Sequence, residues 1–190
     1  AVVENPGYRA WRAIVAATGA SAVPVDVDAL GLPVQGLDAD VVFTTPSHQC
    51  PTNATMPVER RVALLDAAEA QGFVIVEDDY EFEMSFLKPV APALKSLDQG
   101  GRVIYAGSFS KSVFPGLRLG YLVGPPGFIA EARALRGLML KHPPGHIQRT
   151  MAYFLGLGHY DALVNRMKGA YRRRRQIMAE AIAAEGLEVA

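Results

Sequence analysis

The chain has 190 residues, half of them hydrophobic and a fifth charged, so we expect one domain folded around a core rather than a disordered segment. Its 19 Lys and Arg residues balance its 19 Asp and Glu residues, which gives no overall basic bias towards nucleic acid. The single cysteine argues against a disulfide scaffold and fits a reducing cytoplasm, and no apolar stretch approaches the roughly 20 residues needed to cross a bilayer.

Apolar runs and helical patterns alternate along the chain in the manner of βαβ units. The predicted strands, in chain order, are residues 1–3, 22–25, 40–44, 73–76, 103–106 and 119–123. The predicted helices are residues 8–18, 57–71, 129–141, 147–157 and 160–185, with residues 94–97 in a loop. In the helix at 57–71, Val62, Leu65 and Ala68 are expected to face inward. Parallel strands joined by helices, followed by a helical tail, predict a three-layer, doubly wound α/β domain with a mainly parallel sheet.

The predicted strand at 73–76 is followed by Glu-Asp-Asp-Tyr at 77–80. Open α/β sheets bind ligands at the carboxyl ends of their strands. An acid there can pair with a protonated pyridine nitrogen, and a tyrosine two residues later can hydrogen-bond a phenolic oxygen of the same ring. Alternation along the strand places Asp78 and Tyr80 on one side and Asp79 on the other. An acidic loop that caps the next helix is the alternative explanation of these residues.

Lys111 lies after the predicted strand at 103–106, in the sequence Gly-Ser-Phe-Ser-Lys-Ser at 107–112, and Arg118 follows seven residues later. A lysine amine can form a Schiff base with an aldehyde. The serine hydroxyls and one guanidinium can satisfy the oxygens of a phosphate. The pattern therefore suits an aldehyde cofactor that carries a phosphate. Taken alone, a solvated lysine in a serine-rich turn would explain the same residues.

These motifs, with Thr-Pro-Ser-His-Gln-Cys-Pro-Thr at 45–52, resemble the fold type I aminotransferases that use pyridoxal 5'-phosphate (PLP). The resemblance is strongest to the MocR group, bacterial regulators in which such a domain is fused to a GntR-type winged helix, and it covers nearly the whole chain. Two positions depart from the group's pattern, since Cys50 replaces an aromatic residue and Asn53 replaces a glycine. Asparagine tolerates the left-handed backbone that a glycine would take. Cys50 is assigned no contact with the cofactor ring.

The resemblance implies roles for the motif residues. Lys111 would form the Schiff base and then act as general base at the substrate's α-carbon. Asp78 would keep the ring nitrogen protonated, and Tyr80 would bond the phenolic oxygen. The implied phosphate ligands are Ser108, Ser110 and Arg118. Tyr8 and His48 would lie on the substrate side, with plain packing of Tyr8 and a structural hydrogen bond from His48 as the alternatives.

The resemblance also implies how the chain is organised. Residues 1–158 would form the PLP-binding segment of the large domain, and residues 159–190 a long helix leading towards a small domain outside the chain. The first phosphate-binding loop and the residue that stacks on the ring would precede residue 1. The arginine that binds the substrate carboxylate would follow residue 190. The expected ligand is a small amino acid or amine, the expected assembly is a homodimer, and DNA would be bound only through a winged-helix module outside this chain.

Two functions fit this pocket, the effector-sensing domain of a MocR/GntR-type transcriptional regulator and the large domain of a stand-alone class I/II aminotransferase. The pocket cannot separate them, because both use the same residues. A domain that keeps the motifs but binds nothing in this form is a third alternative. The four arginines at 172–175 span more than one helical turn and are expected to form a solvated surface. His142 and His146 lack the nearby cysteine or paired carboxylate of a metal site.

Overall fold

The structure is a computed structural model that describes residues 1–81, 83, 85, 91–142 and 144–187. Within them, six strands form one sheet in the order β2-β1-β3-β4-β5-β6. The strands are β1 (Val2–Asn5), β2 (Val23–Asp26), β3 (Val41–Thr44), β4 (Val74–Asp79), β5 (Val103–Ser108) and β6 (Gly120–Val123). The first five are parallel, and β6 runs antiparallel to β5. The mainly parallel sheet predicted from the sequence is confirmed.

The helices connect the strands and then form the helical tail. They are α1 (Arg9–Ala17), α2 (Val58–Gln71), α3 (Leu94–Leu97), α4 (Pro126–Leu140), α5 (Gly145–Gly156) and α6 (His159–Ala184). Residues 94–97 therefore form a short helix rather than the predicted loop. Helix α2 ends at Gly72, whose φ of 82° lies in the left-handed region that favours glycine. None of the described helices is long and apolar enough to span a membrane.

The main core lies between α2 and one face of the sheet. Leu64 and Ala68 of α2 pack there with Val42, Ile75 and Val103 from three adjacent strands, and all five side chains are buried. The β-branched residues suit these strands because a parallel sheet is covered on both faces. Burial of each of the Val, Leu and Ile side chains stabilises the fold by about 1.5–3 kcal/mol.

Helix α1 packs on the opposite face of the sheet and contributes to the third layer. The Trp11 ring packs on the Phe43 ring of β3 with centroids 4.4 Å apart. Phe43 is in register with Val76 of β4, so this face also carries the side chain of Asp78, two residues further along β4. Helix α1 is therefore placed beside the carboxyl end of β4.

The inward face of α2 differs from the prediction in one residue. Val62 is 44% exposed, whereas Arg61, Leu64 and Ala68 are the buried residues of the helix. Leu65 is partly buried, as its predicted inward position requires. Arg61 takes an inward position because its guanidinium finds hydrogen-bond acceptors in the interior, which hydrophobic periodicity does not reveal.

Arg61 joins three segments of backbone to the sheet. Its Nε donates to the carbonyl of Met56 at 2.9 Å, and its two Nη atoms donate to the carbonyls of Pro46 at 2.7 Å and Pro92 at 3.1 Å. Its Nη1 also lies 3.8 Å from Oε1 of Glu77, and neither side chain has any solvent exposure. A buried charge with all of these partners is tolerated, whereas removing one member of the pair leaves the other charge buried and unpaired, which destabilises the fold.

Glu77 connects this cluster to α3. Its two carboxylate oxygens accept the backbone N–H groups of Leu94 and Lys95, each at 2.8 Å. These are the first residues of the helix, where backbone N–H groups lack partners within the helix. Burial raises the pKa of Glu77, while the two N–H groups and Arg61 act to lower it.

The last helix begins inside the domain. Tyr160 and Val164 of α6 are buried against Phe109, which follows β5, and Met151 of α5. The predicted division of the chain between residues 158 and 159 stays a prediction. Residues 188–190, at the end of the predicted second segment, lie outside the described residues.

Replacing Arg61 by alanine is expected to destabilise the protein by about 3–5 kcal/mol, because Glu77 would be left buried without its cation. Arg60→Ala is the matched control, since Arg60 pairs at 2.6 Å with Asp28, whose side chain is 49% exposed. Urea denaturation followed by circular dichroism would measure both losses. Equal losses in the two variants would contradict a structural role for the Arg61 cluster.

Candidate functional site

The acidic residues after the predicted strand at 73–76 belong to β4 itself, which continues to Asp79. Burial alternates along the strand, so Glu77 and Asp79 are buried and Asp78 is partly exposed on the other face. Asp78 is in register with Ala106 of β5, which places Ser108 on the same face, two residues further on. The structure therefore brings Asp78 and Ser108 to one face at the carboxyl edge of the sheet.

Asp78 sits in a polar but poorly solvated environment. Burial raises the pKa of its carboxyl to about 6, with a hydrogen bond from Trp11 acting to lower it and the charges of Asp79 and Glu4 acting to raise it. The carboxylate is therefore largely ionised at neutral pH and has fewer water partners than a surface acid. Such a group favours a nearby protonated base.

Tyr80 follows directly after β4 and is held by the loop after β3. Its hydroxyl donates to the backbone carbonyl of His48 at 2.9 Å. Burial raises the pKa of Tyr80, so its phenol stays protonated at neutral pH. The His48 ring is also held, with Nε2 at 3.0 Å from Oδ1 of Asn53 and Nδ1 at 3.3 Å from Oε1 of Glu81. These contacts correspond to the structural hydrogen bond considered for His48.

Gln49 anchors the loop after β3, and the sequence reasoning missed it. The side chain is fully buried and donates to Oε2 of Glu4 at 3.2 Å and to the carbonyl of Pro6 at 2.7 Å. Its own oxygen accepts the hydroxyl of Thr52 at 2.6 Å. Asn53 has a φ of 59°, which confirms the left-handed backbone expected there. No local pattern in the sequence marks this anchor, because Glu4 lies 45 residues from Gln49.

The loop that carries Lys111 is held in place by two buried residues, Phe109 and Ser112. Phe109 is buried, and its ring packs on the Tyr121 ring with centroids 5.3 Å apart. Ser112 is fully buried, and its hydroxyl is hydrogen-bonded to the Tyr160 hydroxyl at 2.9 Å. Lys111, between these anchors, is exposed. The lysine amine is therefore displayed by a loop whose backbone is held in place.

Ser108, Ser110 and Arg118 lie around the same loop. The backbone N–H of Ser110 donates to the Ser108 hydroxyl at 3.2 Å. Ser108 is in register with Gly120, so Arg118 comes two residues before its partner position on β6. Arg118 is exposed and has a φ of 48°, a left-handed conformation that costs about 1–3 kcal/mol in a residue other than glycine. Strained residues of this kind cluster at binding sites.

Tyr8 stands exposed at the same edge of the sheet. It follows β1, directly precedes α1, and is 63% exposed. Its ring contacts the Trp11 ring edge-to-face, with centroids 6.4 Å apart. Tyr8 is therefore held at the edge of the site by its contact with Trp11 and stays exposed.

Gly107 of β5 leaves room for the Tyr121 side chain of β6. A Cβ atom built on Gly107 would lie 2.2 Å from Cζ of Tyr121, a distance that real side chains do not adopt. The glycine lets Tyr121 cross the strand, and the Tyr105 and Tyr121 rings stack on the same face with centroids 6.0 Å apart.

A cavity of about 580 Å³ lies on the other face of the sheet from Asp78. Its lining residues are Glu83, Tyr105, Tyr121, Tyr160, Asp161, Val164, Asn165 and Lys168. The predicted site residues are absent from this lining. Asp78 and Ser108 face away from the cavity, so the candidate site is the carboxyl edge of the sheet rather than this space.

The chain belongs to the aminotransferase class I and II family, whose sequence description matches residues 1–190. It is 64% identical to the HTH-type transcriptional regulator TauR of Rhodobacter capsulatus and 33% identical to the probable rhizopine catabolism regulatory protein MocR of Rhizobium meliloti. These matches cover 100% and 92% of the chain but only 40% and 36% of the two relatives. The chain therefore spans well under half of these proteins.

A solved structure gives the same result for the fold. Kynurenine aminotransferase from Pyrococcus horikoshii, crystallised in a complex with PMP, superposes with a TM-score of 0.88 at 30% identity. The match covers 96% of this chain and 48% of that one. Pyridoxal phosphate is the cofactor that the family and this neighbour indicate.

The residues at the carboxyl edge fit that cofactor. An ionised acid suits a protonated ring nitrogen, a neutral phenol suits a ring oxygen, and two hydroxyls with a guanidinium suit a phosphate. The amine of Lys111 is the one nucleophile among the predicted site residues that condenses with an aldehyde.

The raised pKa of Asp78 predicts how Asp78→Asn affects the stability of the cofactor-free protein. An acid whose folded pKa lies above its unfolded value opposes folding once the pH exceeds the unfolded value, and fully so above about 6. Asp78→Asn should therefore raise the melting temperature at pH 8, by roughly 2–4 °C per kcal/mol recovered. The increase should be smaller at pH 5.

Asp98→Asn is the control with the opposite sign. Burial acts to raise the pKa of Asp98, but hydrogen bonds from Lys95 and from the backbone of Val103 and Arg102 leave it lowered. Its ionised form stabilises the fold above the unfolded pKa, and this stability is lost as the pH falls through the folded pKa. Asp98→Asn should lower the melting temperature at pH 8. A decrease in both variants would contradict the account of Asp78.

Proposed function

We propose that this chain is the PLP-binding, effector-sensing domain of a MocR/GntR-type transcriptional regulator, in which DNA is bound by a winged-helix module outside the chain. The similarity to the regulator TauR along the whole chain is the observation that carries this proposal. The alternative is the large domain of a stand-alone class I/II aminotransferase, which the similarity to the kynurenine aminotransferase supports. We further propose that the protein acts in the cytoplasm as a homodimer.

Lys111 is the proposed covalent attachment point and general base. PLP supplies an aldehyde that condenses with amines and a ring that withdraws electrons from the carbon next to the amine. Lys111 would hold the cofactor through its Nζ, and its free amine would take the proton from the substrate's α-carbon. The fixed backbone on either side of Lys111 supports this role, since proton transfer requires the two atoms to be held close together.

Asp78 and Tyr80 are proposed to hold the ring. The Asp78 carboxylate keeps the ring nitrogen protonated, and its partial burial strengthens that interaction compared with one in water. The Tyr80 hydroxyl, now bonded to a backbone carbonyl, bonds the phenolic oxygen of the ring. Asp78 lies on the face of β4 opposite the buried Asp79, which supports Asp78 rather than Asp79 as the acid.

The phosphate is proposed to bind at the lysine loop. Ser108, Ser110 and Arg118 supply two hydroxyls and a guanidinium, and charge-assisted hydrogen bonds of this kind contribute roughly 1.5–3 kcal/mol each. Tyr8 and His48 are proposed to face the substrate, a small amino acid or amine. The proposed division of the chain is a PLP-binding segment at 1–158 and a helix at 159–190 that leads to a further domain.

Borohydride reduction of the full-length protein with PLP is expected to place a pyridoxyl group on Lys111, because reduction fixes the bond between the amine and the aldehyde. Peptide mass mapping would locate it. Lys95 and Lys141 are internal controls that should stay unmodified. A pyridoxyl group on either of them, with Lys111 unmodified, would show that the cofactor-binding lysine has been wrongly assigned.

The regulatory role predicts a ligand-dependent change in DNA affinity. Binding of the full-length protein to its own promoter DNA should change by about fivefold or more when PLP and an effective amine are added. Lys111→Ala should retain DNA binding and lose this response, because the amine can no longer displace the lysine. An amino-acid panel assayed on the same protein tests the alternative. Transamination at about 1 per second or faster, without DNA binding, would favour the stand-alone enzyme.

A further inference from the structure

Tyr160 is a buried side chain to which the proposed function gives no role. It lies in the first turn of α6, is 9% exposed, and comes 48 residues after Ser112 in the chain. Its hydroxyl is hydrogen-bonded to the Ser112 hydroxyl at 2.9 Å, and its ring meets the Phe109 ring edge-to-face with centroids 5.8 Å apart. One side chain of α6 therefore contacts both residues that hold the loop carrying Lys111.

The backbone between these two contacts forms a single turn with Lys111 at its centre. The N–H of Val113 donates to the carbonyl of Phe109 at 2.9 Å, which closes the turn. Ser112 is fully buried, whereas Lys111 beside it is exposed. A lysine amine sits on a flexible four-carbon stem, so the space that the amine can reach depends on where the backbone holds its Cα. The buried side chains of the turn therefore decide the direction in which Lys111 leaves the protein surface.

The Tyr160 hydroxyl has a second partner, a carboxylate oxygen of Glu83. Burial raises the pKa of Tyr160, so its phenol keeps its proton at neutral pH. A carboxylate accepts hydrogen bonds and a phenol has one proton, so Tyr160 donates to Glu83 and its oxygen accepts from the Ser112 hydroxyl. This order of donors fixes the rotation of the Ser112 hydroxyl and ties the turn to α6.

We propose that Tyr160 is a positioning residue for Lys111, which it aims by holding the turn at residues 109–113 through Ser112 and Phe109. This inference rests on the proposed function, in which PLP attaches to Lys111. Condensation and proton transfer both require the amine to be held close to the reacting carbon. Tyr160 acts through the turn and does not contact the reacting atoms.

Packing alone explains the ring of Tyr160 but not its hydroxyl. The ring belongs to a cluster with Phe109, Met151 and Val164, where a phenylalanine would fill the same space. A buried pair of hydroxyls adds little stability compared with apolar groups of the same shape, whereas one hydroxyl without the other is costly. The value of the pair to Ser112 and Tyr160 therefore lies in the geometry that it imposes on the turn.

The first test measures hydrogen exchange in the cofactor-free full-length protein, by mass spectrometry of peptides that contain residues 109–113. Exchange of this turn should be about twofold to tenfold faster in Tyr160→Phe, the range that corresponds to one lost hydrogen bond. Tyr153→Phe is the matched control, because it removes a hydroxyl from a residue of α5 that is 64% exposed. Equal exchange of the turn in the unsubstituted protein and both variants would overturn the proposal.

The second test measures the cofactor bound at Lys111 in Tyr160→Phe, in Ser112→Ala and in the double variant. Tyr160→Phe should weaken PLP binding by about twofold to tenfold. It should also change the visible circular dichroism per bound PLP, because that signal depends on how the protein orients the ring. The double variant separates positioning from stability: its melting temperature should recover, since neither hydroxyl is left unpaired, while its circular dichroism stays changed.

The two proposals fail in different ways. Hydrogen exchange is measured without cofactor, so it reports on the contact between Tyr160 and the turn whether or not PLP binds. Faster exchange in Tyr160→Phe, with PLP labelling a lysine other than Lys111, would reject the proposed attachment point and the role of Tyr160 with it. Labelling at Lys111, with unchanged circular dichroism and affinity in Tyr160→Phe, would reject the role of Tyr160 alone and leave it a packing residue.

Discussion

Three consecutive carboxylates at the carboxyl end of β4 are the constraint on which the arrangement of this domain depends. A charge in the interior costs several kcal/mol unless it is paired and hydrogen-bonded. Alternation along the strand sends Glu77 and Asp79 to the buried face. Glu77 is satisfied by the first N–H groups of α3 and by Arg61, while Asp79 accepts hydrogen bonds from Ser47 and Tyr105. These hydrogen bonds and this ion pair hold α2, α3 and the loop after β3 against the sheet.

The same alternation gives Asp78 a different environment from its two neighbours. It lies on the face of the sheet that carries Trp11 and α1 rather than α2. The buried partners of Glu77 and Asp79 occupy the other face, so they do not compete for Asp78. A strand end can therefore combine two structural acids with one that stays available to a ligand, because successive side chains point to opposite faces.

The site is built on elements that are rigid for separate reasons. The lysine loop is held by Phe109 and Ser112 beneath it, and the loop after β3 is held by the buried amide of Gln49. A regulator and an enzyme both need this preorganisation, since each must bind the same cofactor in one orientation. A regulator and an enzyme therefore differ in how the rest of the protein responds to ligand binding at this site.

Local pattern in the sequence was sufficient for the strands, for the helices other than α3, and for the side of β4 that carries Asp78. Turn residues, apolar runs and a two-residue alternation are properties of short segments, which is why the sequence records them. It was misleading at Val62, where an arginine one position earlier is the buried residue. Only the tertiary structure decided the partners, such as Glu4 with Gln49, 45 residues apart, and Asp79 with Tyr105, 26 residues apart. Hydrogen bonds between distant segments exist only once the sheet has brought the strand ends together, so no local pattern records them.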